Sequence, residues 1–395
     1  MKIIRKEHDV LLSRLNEPRS VIQVIVGPRQ IGKTTMVEQV MEKVGVPYSF
    51  LTADNYAPQS GWIAQIWQRE RMTMSVLGET ERVLVIDEIQ KIPNWSEQVK
   101  KEWDADTRNA VNIKVVLLGS SRMMIMSGLT ESLAGRFELI RMSHWSFTEM
   151  KEAFDWNLQT YIYFGGYPGA ANYISNELRW RQYVRDAIAE PSVTKDVLET
   201  SRVYKPALLK QLFELGCSYS GEILSYTKIL GQLQDAGNVT TLTAYMELLQ
   251  QGNLVAGLQK FAVDSARKRN SVPKFQVFNN ALLNTCRRNS FSAIISDPLL
   301  WGHQVESAVG AYLLNESEKE DMQVYYWRDK DSEVDFVLQR GLDIVGIEVK
   351  SNGEPWTKGL DDFDRRYNPH QVIVVGEAGL NLEVFLGMNL NALFE

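Results

Sequence analysis

The stretch that decides the fold is "VIQVIVGPRQIGKTTMVEQVMEKV", Val21 to Val44. Val21 to Val26 is a nearly continuous apolar run, the pattern of a strand buried on both faces of a parallel sheet. It leads into Gly27-x4-Gly32-Lys33-Thr34, a full phosphate-loop pattern. Glycine lets the backbone curl so that successive N–H groups face one centre, and the helix expected from Lys33 adds the positive end of its dipole. Gly27, Gln30, Ile31, Gly32, Lys33, Thr34 and Thr35 are therefore the expected nucleotide cradle. Lys33 would reach the β- and γ-phosphates of ATP, and the Thr34 hydroxyl would ligate Mg2+.

Such a loop needs a second acid to hold the metal's water shell. "ERVLVIDEIQKIPNW" supplies it: Val83 to Ile86 reads as another buried strand, and it ends on Asp87-Glu88. Asp87 is expected to hold Mg2+ through water, and Glu88 to polarise the attacking water as general base. A third strand, "IKVVLLGSSRMM", ends at Gly119-Ser120-Ser121. The expected class is α/β, a parallel-sheet P-loop core.

Five blocks follow one another along the chain: "GPRQIGKTT", "VIDEIQKIPNW", "VVLLGSS", "SLAGRFELI" and "SFTEM". Together they resemble the bacterial and archaeal AAA-type ATPases, near the STAND branch, that carry a C-terminal domain of unknown function. The resemblance implies that Ser120 or Ser121, at the polar strand end, senses the γ-phosphate. It implies that Arg136, in "LAGR", completes the γ-phosphate site in cis or, in an oligomer, from a neighbour, with Arg122 as the competing candidate. Gly166-Tyr167-Pro168, in "YIYFGGYPGAANYI", resembles the G-x-P element of STAND-type lids, where Pro168 would pack on the adenine.

The middle of the chain reads as a small basic module. "SYTKILGQLQ" and "VTTLTAYMELLQQGN" have helical patterns; "LVAGLQKFAV" and "FQVFN" read as strands around the hairpin "DSARKRNSVPK". Two helices plus a two-stranded wing make a winged helix. From Ala207 to Ile295 there are 9 Lys and Arg against 5 Asp and Glu. Arg267, Lys268, Arg269 and Lys274 lie in or beside the wing, where they would meet DNA phosphates. The second helix carries no Arg or Lys between Val239 and Gln251, so a protein partner stays open as the alternative.

The last hundred residues pose a separate question through "EVDFVLQRGLDIVGIEVKS", Glu333 to Ser351. "SEVDFVLQ" and "IVGIEVKS" read as strands, and a period of two puts Glu348 and Lys350 on one face. With Glu306 on the preceding helix, the set Glu306, Asp335, Glu348 and Lys350 resembles the PD-(D/E)XK nuclease fold. That resemblance implies carboxylates holding a second Mg2+ or Mn2+, with a lysine that orients the attacking water. Cleavage and a catalytically silent relic both stay open.

Composition bounds the rest. With 395 residues, two to four domains are expected. The expected segments are 1–18, an amphipathic helix; 19–148, the ATPase core; 149–205, a helical lid; 206–295, the winged helix; and 296–395, the nuclease-like domain. An apolar content of 44% and a charged content of 23% fit a globular protein. No apolar run approaches the roughly twenty residues that span a bilayer. The N-terminus lacks a signal-peptide pattern, and Cys217 and Cys286 have no metal-ligand spacing, so a cytoplasmic location and no membrane partner are expected. Four histidines and no cysteine cluster exclude a zinc site. The net charge of −6 is uneven: Asp297 to Glu395 holds 19 Asp and Glu against 8 Lys and Arg, while the remainder is net positive. The expected function is a Mg2+-dependent ATPase, a nucleotide-driven switch or motor acting on DNA. A nucleotide-bound signalling module without turnover and an ATP-gated nuclease are the alternatives.

Overall fold

A computed structural model describes residues 3–55, 61–119, 125–126, 128–129, 132–198, 203–233, 238–263, 271–351 and 357–395. The chain divides into two compact units, Lys2–Met142 and Ser143–Glu395.

The first unit is built on a five-stranded sheet of order β2-β3-β4-β1-β5. The strands are β1 (Ile22–Val26), β2 (Tyr48–Thr52), β3 (Arg82–Asp87), β4 (Ile113–Leu118) and β5 (Phe137–Arg141). Every pairing is parallel. β1 lies inside the sheet between β4 and β5, and every residue of β1 and β4 is buried. That double burial is what an unbroken apolar run requires, whereas alternation would leave polar side chains in the core. Because the strands run parallel, the loops after β1, β3 and β4 all leave from one edge. The helices α1 (Glu7–Asn16), α2 (Lys33–Met41), α3 (Trp62–Leu77) and α4 (Trp95–Arg108) cover the sheet. The helix α1 buries Leu11 and Leu15. α3 and α4 are joined by a buried polar link: Trp67 Nε1 donates to Asp106 Oδ2 at 2.9 Å, and Arg71 Nε donates to Asp106 Oδ1 at 2.7 Å.

The second unit carries helices, a two-stranded sheet and a four-stranded sheet. β6 (Val255–Leu258) and β7 (Lys274–Val277) pair antiparallel. The helices Pro206–Ser218, Tyr226–Leu230 and Val239–Gln251 precede them, so the order helix, helix, strand, strand read in the sequence is present. The four-stranded sheet has the order β11-β10-β9-β8. Its strands are β8 (Gln323–Asp329), β9 (Ser332–Arg340), β10 (Asp343–Lys350) and β11 (Gln371–Gly376). β10 pairs parallel with β11 and antiparallel with β9. The helix Pro298–Ser317 lays Val305, Val309 and Leu313 on the sheet core of Phe336, Leu338, Val345 and Ile347. Cys217 is buried and Cys286 partly so, and both are free thiols. No described helix is long and apolar enough to cross a membrane.

One expectation is overturned here. Lys274 was grouped with the wing that faces phosphates, but it is 0% exposed and points into the unit. As the first residue of β7 it sits where the strand enters the core, not on the hairpin tip. Arg267, Lys268 and Arg269 lie outside the described residues.

The first unit also holds a buried carboxylate that makes its stability depend on pH. Glu70 on α3 is 1% exposed. It accepts hydrogen bonds from Ser49 Oγ at 2.6 Å, Arg82 Nε at 2.7 Å and Arg69 Nη2 at 2.9 Å. Burial alone would raise its pKa, but the bonds from Ser49, Arg82 and Arg69 outweigh burial and hold it below the ordinary range. A depressed carboxyl binds fewer protons folded than unfolded, so its stabilisation is full above its unfolded pKa and is lost as pH falls through the folded one. Glu70→Gln is expected to cost about 2 kcal/mol near neutral pH, less than breaking an isolated buried pair because Arg82 keeps Glu79. Thermal melts of both proteins should show the gap steady down to about pH 4 and closing as pH falls below that. A gap independent of pH would assign the loss to shape and not to charge.

Candidate active site

The loop after β1 is closed by a contact no side chain could survive. A Cβ on Gly27 would lie 2.2 Å from the Met142 carbonyl oxygen and 2.9 Å from Ile31 Cδ1. The backbone after β5 therefore fixes the first turn of the loop. Gln30 follows with φ of 62° and Gly32 with φ of 87°, so the chain curls twice in the left-handed region before α2 begins at Lys33. Ile31 is fully buried and pins the loop from below, whereas Thr34 and Thr35 are exposed. Lys33 folds back over the loop, its Nζ donating to the Gly27 carbonyl at 3.0 Å and the Pro28 carbonyl at 2.6 Å. The result is a positive helix end and an ammonium centred on one concavity, an arrangement suited to an anion.

The expected metal-side residues are brought together. Thr34 Oγ1 donates to Asp87 Oδ2 at 2.8 Å, and the Glu88 amide donates to Asp87 Oδ1 at 2.8 Å. Asp87 is buried, and burial raises its pKa even though Thr34 and the Glu88 amide oppose the shift. The Lys33 charge also pulls it down, yet burial prevails, so the carboxylate of the Thr34–Asp87 pair is left with charge that suits a cation such as Mg2+. Glu88 adopts φ of 53°, and its Oε2 accepts from Gln90 Nε2 at 2.5 Å. Gln90 was not singled out in the sequence, although its place in "DEIQ" two residues beyond the expected base was a signal. Ser120, Ser121 and Arg122 lie outside the described residues.

Arg136 is not brought to this loop in its own chain. It immediately precedes β5, and its carbonyl accepts from the Ile22 amide at 2.8 Å, at the start of β1. In a parallel sheet the starts of strands lie on the edge opposite the phosphate loop, five residues of β1 away. Its guanidinium is bidentate on Asp104 of α4, with Nε to Oδ1 at 2.8 Å and Nη2 to Oδ2 at 3.1 Å. The basic residue at the correct edge is Arg141, which ends β5 opposite Val26. Pro168 belongs to the second unit, where it opens the short turn Pro168–Tyr173 next to the buried Tyr167.

The C-terminal residues converge. Asp335 on β9 accepts from the Val349 amide at 2.8 Å, and Lys350 Nζ lies 3.0 Å from Glu348 Oε1. Glu306 comes in from the helix Pro298–Ser317. Between Glu306 and Asp335 sits a cation that the sequence reading placed elsewhere. Lys274 Nζ is 2.5 Å from Glu306 Oε1 and 3.7 Å from Asp335 Oδ1, and it donates to the Asp335 carbonyl at 3.1 Å. Burial would lower the lysine's pKa, but Glu306 and Asp335 outweigh it and raise it. Burial and the mutual repulsion with Asp335 push Glu306 and Glu348 each up to about 7, against the pull of Lys274 on Glu306 and of Lys350 on Glu348. Among the described residues no group of three or more His, Cys, Asp or Glu side chains is arranged to hold a metal ion. The expected second Mg2+ or Mn2+ thus finds no support in this arrangement.

Comparison with known proteins agrees with the first unit. Residues 19–151 match a family described as an AAA domain. Residues 155–292 and 301–387 match two families described as domains of unknown function, DUF8612 and DUF4143. An uncharacterized protein of Mycobacterium tuberculosis is 24% identical over 344 residues, covering 85% of this chain and 72% of that protein. An uncharacterized protein of Haemophilus influenzae is 20% identical over 348 residues, covering 83% and 82%. Among solved structures, a variant of Thermotoga maritima RuvB aligns at a TM-score of 0.35 and 17% identity, over 64% of this chain and 88% of that one. Aeropyrum pernix Orc1 in complex with DNA aligns at 0.31 and 13%, over 74% and 92%. The parallel sheet, its phosphate loop and the matched domain make the first unit a P-loop core of AAA type.

The geometry separates two residues that the sequence reading gave to one site. Lys33→Ala should weaken ATP binding at least about tenfold, whereas Arg136→Ala, at concentrations where the chain is monomeric, should leave it within about twofold. Titration of a fluorescent ATP analogue into each variant measures both. Equal losses would return Arg136 to the phosphate site.

Proposed function

We propose that the chain is a Mg2+-dependent ATPase of AAA type, related to the STAND branch, in which ATP is cradled by residues 27–35 and hydrolysed by water aligned by Glu88. The observation that carries the reading is the Thr34–Asp87 hydrogen bond of 2.8 Å beside the phosphate loop. It joins a loop hydroxyl to an acid from a different strand, the two groups that hold Mg2+ in P-loop enzymes. Mg2+ would neutralise charge developing on the phosphates. Lys33, held over the loop by two carbonyls, would exchange them for phosphate oxygens. Gln90 would fix the rotamer of Glu88 through their shared hydrogen bond. Arg141 is a candidate for the cation that completes the site within the chain.

The use of this activity on DNA is part of the same proposal. Residues before Asp297 are net basic, and the helix, helix, strand, strand order of 206–295 supports a winged helix. The meeting of Glu306, Asp335, Glu348 and Lys350 supports a PD-(D/E)XK-like fold for 296–395.

The decisive experiment is ATP turnover by Glu88→Gln. The variant should bind ATP as the wild type does and hydrolyse it at least about a hundredfold more slowly, the usual consequence of losing about 3 kcal/mol of transition-state stabilisation. Turnover equal to wild type would remove Glu88 as the base. Turnover absent from the wild type, with and without duplex or single-stranded DNA, would favour the signalling module.

A further inference from the structure

We propose that Lys274 takes the place of a divalent cation in the C-terminal acid cluster, so that much of the cluster's charge is offset from within and the cluster is closed to Mg2+ and Mn2+. This inference goes beyond the ATPase reading and does not depend on it.

The ammonium sits between two of the cluster's acids. Glu306 and Asp335 come from different elements, a helix and a strand, and Lys274 Nζ touches both residues at once: Glu306 Oε1 at 2.5 Å and the Asp335 carbonyl at 3.1 Å. A third side is closed by the Phe336 ring, whose centroid lies 4.6 Å from Nζ. Nor is this a surface lysine that happens to swing inwards. Lys274 has no exposure, and its backbone is held on both flanks: it pairs with Leu258 of β6 and bridges to Ile223, while the next amide, Phe275, donates to the Glu222 carbonyl at 3.0 Å. The ammonium therefore cannot leave unless that pairing opens.

The remaining charges fit a site arranged around a monovalent internal cation. Lys350 takes one oxygen of Glu348. The other, Oε2, is buried and has no hydrogen-bond partner among the described residues, and Glu348 is 6% exposed. Asp335 spends its second oxygen on the Val349 amide. A divalent ion approaching Glu348 and Asp335 would meet two ammonium groups, Lys274 and Lys350, inside a low-dielectric pocket where like charges repel strongly. Removing Lys274 deletes one of those charges and frees Glu306, leaving three carboxylates around a space lined by oxygen, the donor type that Mg2+ and Mn2+ take.

The test is Mn2+ binding by the full chain without nucleotide, in an Asp87→Asn background so that the Thr34–Asp87 pair does not contribute. Free Mn2+ is read by electron paramagnetic resonance. With Lys274 intact, no Mn2+ site tighter than about 1 mM is expected. Lys274→Ala should gain one site at least about tenfold tighter, and adding Glu348→Gln should remove it. Mn2+ should raise the melting temperature of Lys274→Ala and leave that of the Lys274-intact protein unchanged. Lys274→Met, which keeps the apolar stem, serves the same titration if the alanine variant does not fold. Mn2+ binding by the Lys274-intact protein that Glu348→Gln abolishes would overturn the proposal. So would a folded Lys274 variant that gains no site. The first of these outcomes can be read even if neither variant folds.

Discussion

A lysine ammonium with no access to solvent, held between carboxylates from a helix and a strand, is the constraint on which the second unit depends. Burying one charge alone costs several kcal/mol, so such a group persists only where its partners are placed with equal care. Lys274 is the end of a longer polar seam. Gln276, Asn280 and Asn284 follow it along the chain, and Gln304 and Ser307 face them from the helix Pro298–Ser317. Gln276 Nε2 donates to the Ser307 carbonyl at 2.8 Å, Ser307 Oγ to Asn280 Oδ1 at 2.8 Å, and Gln304 Nε2 to Asn284 Oδ1 at 2.6 Å. Each of these side chains is buried. Buried amides leave little freedom of register, because a shift of one residue would orphan several donors together. That explains why the segments around β7 and the C-terminal sheet form one compact unit.

The two acidic sites show how partner type decides what a carboxylate can do. Asp87 and Glu306 are both pushed towards the protonated form by burial. Asp87 is hydrogen-bonded by a hydroxyl and a backbone amide, dipoles that orient it, and the pull of the Lys33 charge is too weak to outweigh burial. Glu306 is met by an ammonium that does cancel its charge. The same residue chemistry thus gives one site with charge left for an incoming cation and one whose charge is already spent. The strongly negative balance of residues 297–395 overstates how acidic that region behaves, because part of it is neutralised by a lysine contributed from the basic segment before it.

What could be read from the sequence was what neighbours in sequence determine. The apolar run of β1, the glycine spacing of the loop and the acid pair closing β3 are local patterns, and the elements they predict are present. That Glu348 and Lys350 share a face was legible for the same reason, since strand periodicity fixes the faces, whereas bringing Asp335 to them rested on the resemblance alone. Lys274 was not legible, because its partners are 32 and 61 residues further on and only packing brings them to it; beside "ARKRN" a lysine reads as one more solvated charge. Arg136 is an intermediate case. Its motif is local, but its place depends on topology, and a residue just before a strand that runs parallel to β1 has to lie at the far edge from the loop after β1. That deduction was available once β5 was taken as parallel.

Glu88 shows the same dependence of chemistry on distant packing. A non-glycine residue in the left-handed region carries backbone strain of order 1 kcal/mol, which persists only where the surroundings hold it. Here the holder is Gln90, buried and bonded to the Glu88 carboxylate. Gln90 in turn lies against the end of β4, where a Cβ on Gly119 would come within 1.9 Å of Gln90 Oε1. The glycine of "LLGSS" is thereby explained without reference to any phosphate: it leaves room for the amide that orients Glu88. The strand that ends on Asp87 and the strand that leads into Gly119 are adjacent in the sheet, so sheet order, and not the loop alone, sets where the Glu88 carboxylate points.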